Sequence, residues 1–365
     1  MNANRFFAIT LIITLLVFVF PAAIVVIADP FFIFHKKFSR NIGFDGTDRY
    51  QNAGLINTFL ADPAERFDTI NLVTSMSQNF PVSAFKNDFG KNALKLTLSG
   101  GRARDIETIA RKAIATGRVK RVVWEVFTSF ADENPDAINR KAPLPLFLYN
   151  DTLADNWRYV FNNDVFEKAF KLARAQVLTW KKVERSSLAE LYTWRNNEQF
   201  IKFNEPANIE KLRRKLRTVD LPIGPSPPHT IRTEFPNLQK NLFPVLKANP
   251  DIEFLIFFPP ISHYAYAEYG NEKFWLQMLM RKNVLEEARN LKNVRVFAFD
   301  LNDSASGALQ NFLDPEHYRP WVNATMAESM LKPDHILTAD EWKSYTDALI
   351  SKVNAFAQNF LASAP

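Results

Sequence analysis

Hydrophobic and polar positions along this chain fall into blocks, and the character of the blocks changes after residue 29. From Phe6 to Ala28 there are 23 consecutive residues without a charge. As a helix rising 1.5 Å per residue this run covers roughly 34 Å, enough for the hydrocarbon core of a bilayer. The apolar part of a cleavable signal is shorter, about 7–15 residues, and ends in small residues. Here the bulky pair Val26-Ile27 stands in that place. Residues 1–29 are therefore expected to be a retained transmembrane anchor, with a cleaved signal and a buried soluble helix as the competing readings. Pro21 should kink it, which a membrane span tolerates. Arg5 precedes the run while Lys36, Lys37 and Arg40 follow it. Counting positive charges alone thus does not place the rest of the chain outside.

Beyond the anchor the pattern is short apolar runs alternating with helical periodicity. Asp68–Thr74, Ala93–Leu98, Arg121–Phe127, Ile252–Phe258 and Val294–Phe299 read as five buried strands. Ile106, Ile109, Ala110 and Ala113 share one face of a helix over Asp105–Thr116, closed by Gly117. Further helices are predicted over Asn237–Ala248, from about Glu272 to Asn290, over Trp321–Leu331 and from Ala339 to about Leu361. This alternation predicts an α/β architecture over residues 30–365, a parallel five-stranded sheet flanked by helices in three layers. Residues 131–230 have another texture: a Pro- and Asn-containing loop, a helix-rich stretch from Asn163 to about Phe203, and the breaker Leu221–Pro228. They are expected to form an inserted helical subdomain. Its basic stretch, Lys211, Arg213, Arg214, Lys215 and Arg217, reads as a solvated face.

Composition narrows the chemistry. The 365 residues contain no cysteine, which excludes a disulfide framework, a thiolate nucleophile and Cys-ligated metals. No two of the five histidines have ligand spacing, so no metal and no cofactor is expected. The net charge of +6, spread over this length, suits anionic surroundings more than a dedicated nucleic-acid partner. In an open parallel sheet ligands bind beyond the carboxyl ends of the strands. The first strand there runs into Val73-Thr74-Ser75-Met76-Ser77-Gln78-Asn79-Phe80 and the second into Ser99-Gly100-Gly101. Ser75 is a nucleophile candidate at a strand-to-helix turn, where backbone N–H groups stabilise an oxyanion. Gly100 lets a free N–H approach a ligand.

A serine needs a base. His317 sits in Asp314-Pro315-Glu316-His317, where an acid three residues earlier can hold Nδ1–H and leave Nε2 for a serine proton. The triad requires Ser75 Oγ and His317 Nε2 within about 3.5 Å. Gly101, Asn79, Ser262 and His263 are the neighbouring positions expected to meet substrate, His263 as a substrate or packing residue rather than a base.

In this combination the chain resembles the SGNH/GDSL hydrolase-like superfamily. More narrowly, it looks like membrane-anchored bacterial members related to the D-alanine transfer protein of teichoic acids and the alginate O-acetylation proteins. Such relatives carry Gly-Thr-Ser-Met-Thr-Glu-Asn-Phe where this chain has Val73–Phe80. The likeness extends to Pro145–Tyr149 and Phe258–Ser262. It implies Ser75, His317 and Asp314 as a triad, with the N–H groups of Ser75 and Gly100 holding an oxyanion. It implies an extracytoplasmic serine enzyme on acyl esters of a cell-envelope polysaccharide, leaning towards O-acyl transfer, with a multi-pass membrane acyltransferase as donor. An acyl-ester hydrolase is the alternative. Two departures, Val73 in place of glycine and Thr128-Ser129 where many members have an oxyanion asparagine, favour a rival: a catalytically silent glycan-binding or assembly subunit on the same fold.

Overall fold

The structure, a computed structural model, describes residues 3–36, 48–150, 152–179, 197–332 and 334–363. Lys37, Arg40 and the 180–196 part of the predicted helix-rich stretch lie outside the described residues. The apolar run forms one helix, α1 (Ala3–Ala28), long and apolar enough to cross a membrane. Pro21 leaves its mark as a π-helical turn over Leu15–Val19, in which the Phe20 N–H reaches back to the Leu15 carbonyl. A proline cannot donate to the carbonyl four residues earlier, and the wider turn before it absorbs that loss.

All five apolar runs are strands: β1 (Thr69–Val73), β2 (Leu94–Thr97), β3 (Arg121–Glu125), β4 (Glu253–Phe258) and β5 (Val294–Ala298). They form a parallel sheet in the order β2-β1-β3-β4-β5. Every residue of β1 and β2 is buried, so both faces are covered, as a parallel sheet between helices requires. The flanking helices are α2 (Asp48–Gly54), α3 (Ala103–Ile114), α4 (Trp157–Val160), α5 (Asn163–Thr179), α6 (Asn197–Phe203), α7 (Pro206–Leu216), α8 (Pro236–Asn241), α9 (Phe243–Ala248), α10 (His263–Ala288), α11 (Pro320–Leu331) and α12 (Trp342–Ala362). The chain lays β2 on one side of β1 and then returns to add β3 on the other. That reversal opens a crevice above the carboxyl end of β1.

Two helices differ from expectation for identifiable reasons. The helix predicted over Asn237–Ala248 breaks at Leu242 into α8 and α9, because Pro244 has no N–H to continue the ladder. The helix predicted from about Glu272 is preceded by a further helical segment from His263, where the Ser262 hydroxyl accepts the Ala265 N–H. Gly270, at φ 67°, kinks α10 between the two segments, a conformation that glycine tolerates. The basic stretch of α7 behaves as a solvated, internally paired face: Lys215 reaches Glu268, and Arg213, Arg214 and Arg217 gather round Glu210. Arg213 alone turns inward, donating to the Phe360 carbonyl.

Within the sheet, Lys95 of β2 is buried, and its Nζ donates to the Gln78 carbonyl at 2.8 Å. Burial depresses its pKa from 10.5 to about 8. Between those values the native state binds fewer protons than the unfolded chain, so stability rises as pH climbs through that window. Thermal unfolding of the full chain in detergent should show Lys95→Met gaining on the order of 2–3 kcal/mol over wild type at pH 7.5, a gap closing towards pH 10.5. A pH-independent gap would contradict the depressed pKa.

Candidate active site

β1 ends at Val73 because its neighbours part there, leaving the next backbone donors without ladder partners. Glu125, the last residue of β3, fills the gap. It is fully buried, accepts the Thr74 N–H at 3.1 Å and also takes the Thr74 hydroxyl. Thr74 is extended, and its Oγ1 accepts the Met76 N–H at 3.3 Å, starting a 3₁₀ turn over Ser75–Ser77. Ser75 is the first residue of that turn and half-buried. Its Oγ lies 2.9 Å from His317 Nε2.

The histidine loop is shaped by Asp314. Its Oδ1 accepts the N–H groups of Glu316 and His317 at 2.9 and 2.8 Å, while Oδ2 meets His317 Nδ1 at 2.8 Å. One carboxylate thus folds the turn and fixes the ring. Burial pulls the imidazole pKa down, but the hydrogen bond and charge of Asp314, with the charges of Glu316 and Glu125, raise it above its ordinary 6.5. Burial pushes the other way on Asp314, and His317 overcomes it, holding the carboxyl below the usual range. Burial raises Glu125 against the hydrogen bonds it receives from Thr74 and Ser77. Ser77 Oγ also meets the buried Tyr318 hydroxyl at 2.9 Å, tying the serine turn to the residue after His317.

The loop after β2 completes the group. Asp48 Oδ2 accepts the Ser99 N–H at 2.6 Å, and Arg49, paired to Asp48, donates to the Ser99 carbonyl at 2.8 Å. Gln78 Nε2 donates to Ser99 Oγ at 2.6 Å, joining this loop to the Ser75 turn. Gly100 sits at φ 61°, and Asn139 Nδ2 donates to its carbonyl at 2.9 Å. A Cβ at Gly100 would come 3.1 Å from that Nδ2, besides the strain of the left-handed backbone. Among the described residues, neither the Ser75 nor the Gly100 N–H donates to another protein group. The Gly101 N–H is spent on the Leu98 carbonyl at 3.0 Å, and a Cβ there would strike the Leu98 side chain.

Ser75, His317, Gly100 and Gly101 line one cleft of about 1050 Å³. Its opposite wall is the 132–141 segment, and Thr128 and Ser129 lie between. Three expected substrate positions fall elsewhere. Asn79 is buried behind the serine turn. Ser262 is buried, with its hydroxyl spent on the Pro315 carbonyl at 2.6 Å and on capping α10. His263 is buried with Nε2 at the Asp300 carbonyl, and burial lowers its pKa. None of the three lines the cleft. Val73 is buried in the sheet and does not crowd it. Sequence reasoning missed Glu125, Asp48, Arg49 and Asn139. A lone acid within the Arg121–Phe127 run was the one available signal.

No protein-family model matches the chain, and no curated protein matches it. Among the described residues, no group of three His, Asp or Glu side chains is placed to hold a metal ion.

A base must be neutral to take a proton, so Ser75 should be least reactive where His317 is protonated. The labelling rate with a serine-directed phosphonate should rise with pH through a midpoint above 6.5. Glu125→Gln, which removes a charge that raises the imidazole pKa, should move the midpoint down. A flat profile would remove His317 as the base, and an unshifted midpoint would remove Glu125 as its electrostatic neighbour.

Proposed function

We propose that this protein is a membrane-anchored, extracytoplasmic serine O-acyltransferase acting on a cell-envelope polysaccharide, an SGNH-like enzyme using a Ser75-His317-Asp314 triad. The observation that carries the reading is the unbroken relay Ser75 Oγ–His317 Nε2, His317 Nδ1–Asp314 Oδ2, at 2.9 and 2.8 Å. Ser75 Oγ would attack the acyl carbonyl carbon while His317 Nε2 takes its proton. The carbonyl oxygen, now negative, would rest on the Ser75 and Gly100 N–H groups, which are unspent. Collapse would break the bond to the leaving oxygen, to which His317 returns the proton. A sugar hydroxyl, deprotonated by the same nitrogen, would then attack the acyl-serine and release Ser75.

Several features support this placement. The last turns of α1 belong to the core: Val25, Ala28 and Asp29 are buried, so removing α1 as a signal would open a hole in the folded body. The 132–141 wall belongs to the 131–230 segment, which we read as the inserted subdomain and the source of acceptor and partner specificity. The donor would be a multi-pass membrane acyltransferase. An acyl-ester hydrolase is favoured as the second reading by the half-buried setting of Ser75 in a cleft of this volume, through which water reaches an acyl-serine as readily as a glycan does.

Full-length protein in detergent should turn over a chromogenic acetyl ester and take a fluorophosphonate label. Ser75→Ala should abolish labelling and lower turnover by about 10³-fold or more. Loss of both in the wild type, under conditions where an active serine esterase responds, would leave the silent glycan-binding subunit. Glycan acylation measured by mass spectrometry in a deletion strain separates the other two: a fall means transfer, a rise means hydrolysis.

A further inference from the structure

The end of the anchor packs directly against the body. Asp29, at the helix end, adopts a left-handed turn and accepts the N–H groups of Ile33, Phe34 and His35. His35 Nε2 turns back to the Val26 and Ile27 carbonyls, each at 3.1 Å. Tyr159 of α4 donates to Asp29 Oδ1 at 3.0 Å and accepts the Phe31 N–H at 3.4 Å, with the Phe31 and Phe34 rings edge-on to it. The last turns of α1 also lie against α5. Trp157 and Phe161 are each two residues from Tyr159, so their Cα atoms stand within about 7 Å of a residue touching the anchor's end.

Depth follows from length. An apolar run of roughly 34 Å exceeds a hydrocarbon core of about 30 Å by little, so its final turns lie at the acyl–headgroup boundary. Whatever lies beside those turns is held at that level. The solvent side of α4 and early α5 there carries Trp157, Phe161 and Phe170 at 58, 55 and 46% exposure. The Phe166 and Phe170 rings lie 6.0 Å apart. Arg158 stacks over Trp157 and Phe147, and Lys171 and Arg174 are exposed. The acidic neighbours are Asp155, which accepts from Asn150, Asp164, and Glu167, which is paired to Lys171. Aromatic rings with basic side chains are the composition of a membrane interface.

We propose that α4 and the start of α5 form a membrane-seated collar, with Trp157, Phe161 and Phe170 inserted at the acyl–headgroup boundary of the bilayer that α1 spans. The occupant of this surface is lipid. The inference rests on the anchor reading and is independent of the serine chemistry. Its effect is to hold the body at one tilt and height.

The absence of cysteine makes the test direct. Single cysteines replace Trp157, Phe161, Phe170, Ile12 within α1, or Ile336, whose backbone bridges Phe297 of β5, the sheet edge opposite β2. Each full-length variant, checked for wild-type melting, is labelled with an environment-sensitive fluorophore. It is then placed in nanodiscs of phosphatidylethanolamine and phosphatidylglycerol with spin-labelled acyl chains. At least twofold quenching is expected at positions 12, 157, 161 and 170, and none at 336. Quenching at 12 but not at 157, 161 and 170 overturns the collar. Blue-shifted, unquenched emission at those three does so by showing protein rather than lipid over the surface. No quenching at 12 overturns the anchor reading and the collar with it.

Discussion

A backbone N–H removed from water must find an acceptor, and in this molecule carboxylates answer that demand at several ends of regular elements. Glu125 takes the Thr74 N–H beyond β1, and Asp48 takes Ser99 beyond β2. Asp314 takes Glu316 and His317, and Asp29 takes three consecutive donors beyond α1. Asp105 takes both Arg102 and Asn139, drawing the cleft wall onto the Gly100 loop. Each fixes the conformation of a segment that helix or sheet bonding has released. The cleft exists because three such segments end at one edge of the sheet. Its geometry is therefore a product of satisfied donors, with side-chain placement following from the turns.

The same arrangement explains which parts were readable in advance. The strands were legible because each is a run of apolar residues bounded by polar or turn residues, a purely local signal. The Asp314–His317 relation was legible for the same reason, since three residues separate the partners. Glu125 was not, because its meaning depends on Thr74, 51 positions away. Asp48 and Asn139 are likewise defined by partners about 50 and 39 positions distant. Ser262 and His263 follow β4 at the carboxyl edge of the sheet, but the Ser262 cap starts α10 at once and both side chains are buried.

The two departures from the resembled family acquire physical content. Val73 is buried at the end of β1, where a branched side chain is at home. In the region of the missing asparagine, Thr128 and Ser129 face the cleft at the start of a 3₁₀ turn, while Asn139 approaches the Gly100 loop from the other side and spends its amide on the carbonyl. Polar groups thus flank the Gly100 loop on both sides, and the Asn139 amide props it through its carbonyl.

The π turn in α1 has a geometric consequence of its own. One residue more than an α-helix needs advances the side-chain pattern by about 100°. The stripe that beds against α4 and α5 after Phe20 is thus not continued by the same stripe before Leu15; the helix changes face part-way across. Each half of α1 thus turns its own side outward. The surface that holds the body is confined to the half after Phe20, and no residue of Ala3–Thr14 is buried.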